Sequence, residues 1–333
     1  EIYTLSLHDA LPISIFCSKN SKIMRIRELD YLKGMMIIFV ITFHLVYFEH
    51  LYPYAKQVVY TFHMPVFLVI SGYLWNINKK RKDFLLSISG LAIPYIVMES
   101  GYVVMASLLP INEHIDQLTF SVFISKLLFH PLGPYWYLHS LILCGMTYYV
   151  VFRYSQTKEI TRFILMGLAL YLYSYLLGVL SFTSAIFFLM GVVLRQCNID
   201  FMRFFQSSSL ALLAFLLLTF HEQFLSPSTL GGILIIYLVV SCCLFTFKYS
   251  LQFVRNSIVY FGRNSILLYV FSPIFTILCK QMIPYLAFDK TGILFLTASL
   301  IVCISGSLCI GYMMDVLRIS PLFFRKQYIV SKK

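Results

Sequence analysis

The sequence is short of charge. Asp, Glu, Lys and Arg supply 12% of its 333 residues, against roughly 25% in an ordinary water-soluble domain. Acidic residues are the scarcest charges, 14 against 26 basic ones, and Trp occurs only twice. So few charges cannot cover a soluble surface, which excludes the two or three soluble domains that the length alone would allow. Cys-x-x-Cys pairs are missing, and no His stands at ligand spacing from a Cys. The eight cysteines therefore read as small hydrophobes in helix packing, and no metal centre is expected. The basic residues are scattered rather than gathered in one patch, so the net charge of +12 gives no nucleic-acid footprint.

What is there is apolar and aromatic: 59% hydrophobic residues, with 31 Phe and 24 Tyr. This composition reads as an all-α, polytopic membrane protein. A spanning helix needs about 20 mostly apolar residues. About ten such runs can be marked, over 32–50, 57–76, 84–109, 135–152, 162–180, 182–195, 209–225, 230–247, 257–279 and 291–314. The sixth is short and almost touches the fifth, and Pro94 lies inside the third, where neighbouring helices can tolerate it. Alternate connections hold 22 of the 26 Lys and Arg residues; the others hold only Lys56, Lys126, Lys280 and Lys290. That asymmetry puts both termini in the cytoplasm. One outer connection, 110–134, is long and carries Glu113, His114, Asp116 and His130. It reads either as a cover over the outer face of a site or as an ordinary amphipathic loop.

The two ends differ from the middle. Residues 1–23 are polar and weakly patterned, with no basic leader and too short an apolar stretch for a signal peptide. Tyr3 to Ser14 resembles translated sequencing-adapter read-through, so Met24 is the expected start. Residues 24–318 form the expected transmembrane domain, and 319–333 a basic cytoplasmic tail.

Ionisable side chains inside membrane helices are costly and mark function by default. Here they are His44, His63, Glu99 and His139. At about 1.5 Å per residue, and with helix direction set by the charge asymmetry, all four fall in the outer half of the membrane. Histidine suits proton transfer near neutral pH. The bland alternative for each is a side chain hydrogen-bonded within or between helices. Lys33 and His44 are eleven residues apart, which is three turns plus about 20°. They share a helix face at two depths: a cation at the inner mouth and a base further in, or a simple snorkelling anchor below a helix histidine.

Several motifs now align. Arg27-Glu-Leu-Asp-Tyr-Leu-Lys33-Gly34 followed by His44 resembles the opening motif of the acyltransferase-3 family of integral membrane acyltransferases. Phe62-His-Met-Pro65 with Phe67-x-x-x-Ser71-Gly72, Ile93-Pro-Tyr95, Gly133-Pro-Tyr-Trp-Tyr-Leu138 and Gly262-Arg-Asn-Ser265-x-x-x-Tyr269 resemble later landmarks in the same order. The His-Met-Pro and Gly-Pro-x-Trp elements look most like the branch related to fucose 4-O-acetylases.

The resemblance implies transfer of an acyl group, usually acetyl, from cytoplasmic acyl-CoA to a hydroxyl of a surface glycan or its lipid-linked precursor. It implies a bacterial inner membrane location and no permanently bound cofactor. On that reading His44 is the catalytic base and Lys33 its companion cation, with Glu99 or His63 orienting His44. Lys79, Lys80, Arg81, Lys82 and Arg263 are expected at the phosphates of the donor. Substrate contacts are expected from Ser71, Tyr135, Trp136, His139, Asn264 and Ser265. Two features depart from the family pattern. An Arg-x-x-Arg pair often precedes Ile-Pro-Tyr, where Ser87 and Gly90 stand here; a ninth-helix His before Pro is replaced by Ser272-Pro273. A glycan transporter or flippase and a non-catalytic sensor with the same fold are the rival readings. Mass spectrometry of the native protein should find no peptide from residues 1–20; one such peptide would refute the Met24 start.

Overall fold

The computed structural model describes residues 26–108 and 113–329. The expectations for residues 1–23 and for the last four residues lie outside them. Helix accounts for 78% of the described residues, and no strand occurs among them. In lipid this is what backbone hydrogen bonding demands, since a helix satisfies its own N–H and C=O groups.

In chain order the helices are α1 (Arg27–Thr42), α2 (Val46–Leu51), α3 (Pro53–Leu74), α4 (Arg81–Leu108), α5 (Phe120–Leu128), α6 (Trp136–Tyr154), α7 (Glu159–Tyr171) and α8 (Phe182–Gln196). They continue as α9 (Phe201–Phe204), α10 (Leu210–Thr219), α11 (Leu230–Tyr249), α12 (Gln252–Arg263), α13 (Ser265–Cys279), α14 (Ile283–Leu286), α15 (Ile293–Val316) and α16 (Ser320–Phe323). Among the described residues, five segments are long and apolar enough to cross a membrane: Pro53–Leu74, Arg81–Leu108, Leu230–Tyr249, Ser265–Leu286 and Ile293–Val316. Two further apolar helices, Phe182–Gln196 and Leu210–Thr219, are shorter. A helix lies under each run expected from the sequence, but α7 and α10 end short of the fifth and seventh runs, and two further runs are interrupted. The first is α1 and α2, parted at Phe43–Leu45; the ninth is α12 and α13, parted at Asn264.

The chain forms two compact units. One contains Ser71–Val193 and the segment from Asp315 onward. In it α4 and α6 are joined at one end by Phe84 stacked on Tyr149, with ring centroids 3.6 Å apart, and by the Tyr149 hydroxyl donating to the Lys79 carbonyl. The described part of the expected tail packs here too. Phe324 is fully buried, Arg325 Nε donates to Ser89 Oγ at 3.1 Å, and the Asp315 carboxylate accepts from the Tyr328 and Ile329 amides.

The other unit contains Met24–Ile70 and Leu194–Met314. Its centre is the crossing of α1 over α12. Two glycines make it possible. A Cβ on Gly34 would overlap the Ile258 carbonyl, and one on Gly262 would overlap the Asp30 carbonyl. Small residues at a crossing let backbones touch, which is how helices associate where lipid removes the hydrophobic incentive. The Tyr31 ring meets Phe247 edge-on at 5.4 Å, and its hydroxyl reaches Thr246 Oγ1 at 3.3 Å, tying α1 to α11 as well. Outside the apolar runs, Asp289 sets the start of α15. Its carboxylate accepts from the Leu294 amide, then from Thr291, and these bonds hold its carboxyl below the usual range.

Alanine at Gly262 and at Gly101 should therefore act in opposite directions. Gly101 is exposed, with open space around its missing Cβ, so Gly101→Ala should stabilise by up to about 1 kcal/mol through helix propensity. Gly262→Ala should destabilise by about 1–3 kcal/mol through overpacking. Thermal unfolding of the purified protein checks the order, and the reverse order would disprove the crossing.

Candidate active site

His44 stands where α1 ends. Its amide N–H reaches both the Val40 and Ile41 carbonyls (3.1 and 3.2 Å), a tightened last turn. The terminal carbonyls of a helix need partners, and two side chains supply them. His44 Nδ1 donates to Val40 O at 2.7 Å, and the Tyr60 hydroxyl donates to Phe43 O at 3.1 Å. No Gly or Pro stands at 43–45, so this break is made by tertiary contact rather than by a local breaker.

A carbonyl can only accept. The hydrogen therefore sits on Nδ1, and the neutral ring leaves Nε2 bare as a proton acceptor. This tautomer is assigned from the bonding network. His63 repeats the pattern one helix on, with Nδ1 donating to Val59 O at 2.7 Å. Tyr60 lies between them, its ring 6.3 Å from that of His44 and 5.0 Å from that of His63. His63 is buried, whereas His44 is half-buried and reachable. Beside them Lys56 pairs with Glu49 (3.0 Å) and lies 5.3 Å from the centre of the Tyr60 ring. The result is a two-imidazole cluster with its basic nitrogens uncommitted to the backbone.

Lys33 lies three turns before His44, near the start of α1. Its ammonium is 2.8 Å from Asp30 Oδ1, and both side chains are buried. Arg263 Nε approaches the other carboxylate oxygen at 3.7 Å. Asn264 and Ser265, both buried, follow at the break between α12 and α13, where Asn264 Nδ2 donates to Tyr260 O at 3.0 Å. Thus Lys33 and Arg263 meet at the Asp30 carboxylate, by the α1–α12 crossing, and Asn264 and Ser265 follow Arg263 in the chain.

The remaining candidates belong to the other unit. Glu99 Oε1 accepts from the Leu132 amide at 2.5 Å, while Oε2 is buried with no hydrogen-bond partner. His139 Nε2 donates to the Leu128 carbonyl (2.9 Å), and the Tyr95 hydroxyl to the Leu127 carbonyl (2.7 Å). Glu113 accepts from the Gly133 amide at 2.8 Å; Gly133 has φ +56° and lies against the Tyr102 ring. Together these bonds moor α5 and the 127–133 connection onto α4 and α6. Tyr135 is buried near Tyr102, and Trp136 meets Tyr137 edge-on. Ser71 Oγ is hydrogen-bonded to the Tyr137 hydroxyl at 3.0 Å. Lys79 Nζ donates to Ser87 Oγ at 2.7 Å, while Lys80, Arg81 and Lys82 are exposed.

Two residues of these clusters were not singled out from the sequence. Asp30 had a signal, since it is three residues before Lys33 and i,i+3 neighbours meet on a helix. Tyr60 stands likewise three before His63, but a tyrosine in an apolar run gives no cue of its own.

With this geometry in place, the comparison with known families is decisive. Residues 26–312 match an acyltransferase domain, that of the acyltransferase-3 family. The chain belongs to the acyltransferase-3 family. No curated protein and no solved structure matches it. Membership together with the apolar helices makes the protein a multi-pass membrane acyltransferase.

If Glu99 moors the 127–133 connection, Glu99→Ala should speed amide hydrogen exchange at Leu132 by an order of magnitude or more, about 1.4 kcal/mol of lost protection per tenfold. Glu99→Gln, which keeps an acceptor oxygen, should do so far less. Equal exchange in the two variants would remove the mooring role.

Proposed function

We propose that this acyltransferase moves an acyl group, most simply acetyl, from acyl-CoA to a hydroxyl of a cell-surface glycan or its lipid-linked precursor, with His44 as general base. The reading places the chain in a bacterial inner membrane with about ten spans and both termini cytoplasmic. Within the family it lies on the branch related to fucose 4-O-acetylases. The observation that carries the mechanism is the commitment of His44 Nδ1 to Val40 O, which leaves a bare, reachable Nε2.

The step is an acyl transfer. The acceptor oxygen attacks the thioester carbonyl carbon, its proton passing to His44 Nε2. The C–O bond forms and the C–S bond breaks. The imidazolium then returns its proton to the departing thiolate, which leaves as CoA thiol. The Val40 carbonyl accepts from Nδ1 in both protonation states, so the ring keeps its orientation through the cycle. Tyr60 fixes the backbone of the same turn through Phe43 O. His63, with its own bare Nε2, supplies a second site for the proton beside the first.

The test uses membranes containing wild type or His44→Ala, supplied with acetyl-CoA labelled on the acetyl group. Label should enter glycan or lipid-linked fractions with wild type and fall by about 10²–10⁴-fold in the variant, at equal protein level in the membrane. Tyr60→Phe should retain the protein and lower transfer less. Unchanged labelling in His44→Ala would defeat the assignment of the base; label entering neither fraction with wild type would defeat the reaction proposed.

A further inference from the structure

Between Glu222 and Asp289 the chain holds no acidic residue, yet it places Lys248 and Arg255 where α11 passes into α12. α11 and the segment that begins with α13 are each long and apolar enough to cross a membrane. α12, which joins them, has 12 residues and carries Gln252, Arg255, Asn256 and Arg263. A crossing needs about 20 mostly apolar residues. Two crossings joined by so short and polar a helix must end and begin at one face, with α12 lying along it. One side of α12 is already used, since Ile258 and Gly262 rest on α1. Another side presents Phe253, Asn256 and Tyr260, all exposed and at helical spacing. Leu251, just before the helix, is 77% exposed and Phe253 82%.

Cations gather at this apolar tip. Arg255 donates from Nη1 to the Phe247 carbonyl at 3.4 Å, and its guanidinium lies 5.6 Å from the centre of the Phe247 ring. Arginine carries five N–H donors, so most of its capacity is left for a ligand. Lys248 is exposed, its ammonium 5.4 Å from the centre of the Tyr249 ring. Neither cation has an ion pair among the described residues. Arg27, from α1, donates from Nη2 to Asn256 Oδ1 at 2.7 Å and brings a third cation to the same helix, with Glu28 beside it in the chain. Basic residues and large exposed apolar ones on a short amphipathic helix are what a membrane interface accepts.

We propose that the α11–α12 turn is a binding site for an anionic phospholipid: Lys248 and Arg255 hold the headgroup phosphate, while Leu251 and Phe253 enter the acyl chains. The guanidinium fork matches two phosphate oxygens, and Lys248 adds a point charge. A zwitterionic headgroup carries the same phosphate with its charge cancelled, so the site prefers a lipid of net negative charge. On the topology proposed above, that lipid lies in the cytoplasmic leaflet. The site stands apart from the acyl-transfer reading, and it anchors the helix on which α1 rests.

The experiment uses the full chain in bilayer discs of phosphatidylcholine, with phosphatidylglycerol as the anionic probe. Native mass spectrometry counts the lipids retained, and thermal unfolding is followed in the same discs. Wild type should retain phosphatidylglycerol over phosphatidylcholine, less so at high salt. Lys248→Gln should cut that preference by about fivefold, and Lys248→Gln with Arg255→Gln by about 30-fold. Lys280 and Lys290, exposed in the connection between α13 and α15, give the control: Lys280→Gln with Lys290→Gln removes the same charge and should keep the preference. In phosphatidylcholine alone, Lys248→Gln should unfold with wild type, because its side chain is exposed.

A phosphatidylglycerol preference unchanged in both Lys248 variants would overturn the proposal. So would an equal loss in the Lys280 and Lys290 variant, since total charge would then explain the preference. CoA that displaces phosphatidylglycerol from wild type, and binds more weakly once Lys248 and Arg255 are replaced, would give these cations to a free phosphate ligand and overturn the lipid assignment.

Discussion

The contact on which the second unit depends is a backbone touching a backbone. α1 and α12 can approach only because Gly34 and Gly262 lack side chains at the crossing. In lipid there is little hydrophobic gain from bringing two apolar helices together, so close packing and hydrogen bonds must hold them. Close approach also decides which polar groups meet. It sets Asp30 beside the residues that follow Gly262, so that one carboxylate faces a cation on its own helix and a cation on the next. A larger residue at either glycine would separate the helices and draw the half-exposed Arg263 away from Asp30, while the Asp30–Lys33 pair, both on α1, would stay together.

The intramembrane ionisable residues divide into two kinds by what their polar atoms do. Glu99 and His139 each spend one polar atom on the backbone of the connection that leaves α5, as Tyr95 does with its hydroxyl. In that role they finish the ends of α4 and α6 beside that connection, where backbone groups outside a helix need partners. His44 and His63 each spend one nitrogen on a carbonyl of their own helix and keep the other. A ring anchored by the nitrogen it does not react through is oriented without being consumed. That difference, rather than depth in the membrane, is what separates a mooring residue from a candidate base.

Much of this was legible in the chain. Charge scarcity and apolar runs give an all-helical membrane protein, and the motif order gives the family. His44 and Lys33 stand out because a charged group in an apolar run is rare enough to read. What stays hidden is what depends on contact at long sequence separation. The end of α1 at Thr42 cannot be read from Phe43-His44-Leu45, which contains no breaker; it follows from the Tyr60 hydroxyl on the Phe43 carbonyl. The pairing of Lys33 with Arg263 through Asp30 joins positions more than two hundred residues apart. The break at Asn264 did leave a trace, since Gly262-Arg-Asn-Ser265 is a polar island in an otherwise apolar run. Depth along the membrane grouped Glu99 and His139 with His44, but depth carries no information on which atom is already bonded.

If the proposed reaction uses one of the two histidines as its base, exposure favours His44 over His63. Both have a bare Nε2, and the Tyr60 ring lies within 6.3 Å of each. His63 sits inside an unbroken helix and is 4% exposed, so a sugar hydroxyl would have to displace packed side chains to reach it. His44 sits on the turn where α1 stops and α2 has not begun, and is half-buried. At this helix end the carbonyls that lose their helical partners are met by side chains, His44 on Val40 O and Tyr60 on Phe43 O. On the proposed reading, the break in α1 is part of the chemistry. It exposes the imidazole, and the same two hydrogen bonds that repair the broken backbone fix the tautomer and the angle at which Nε2 is presented.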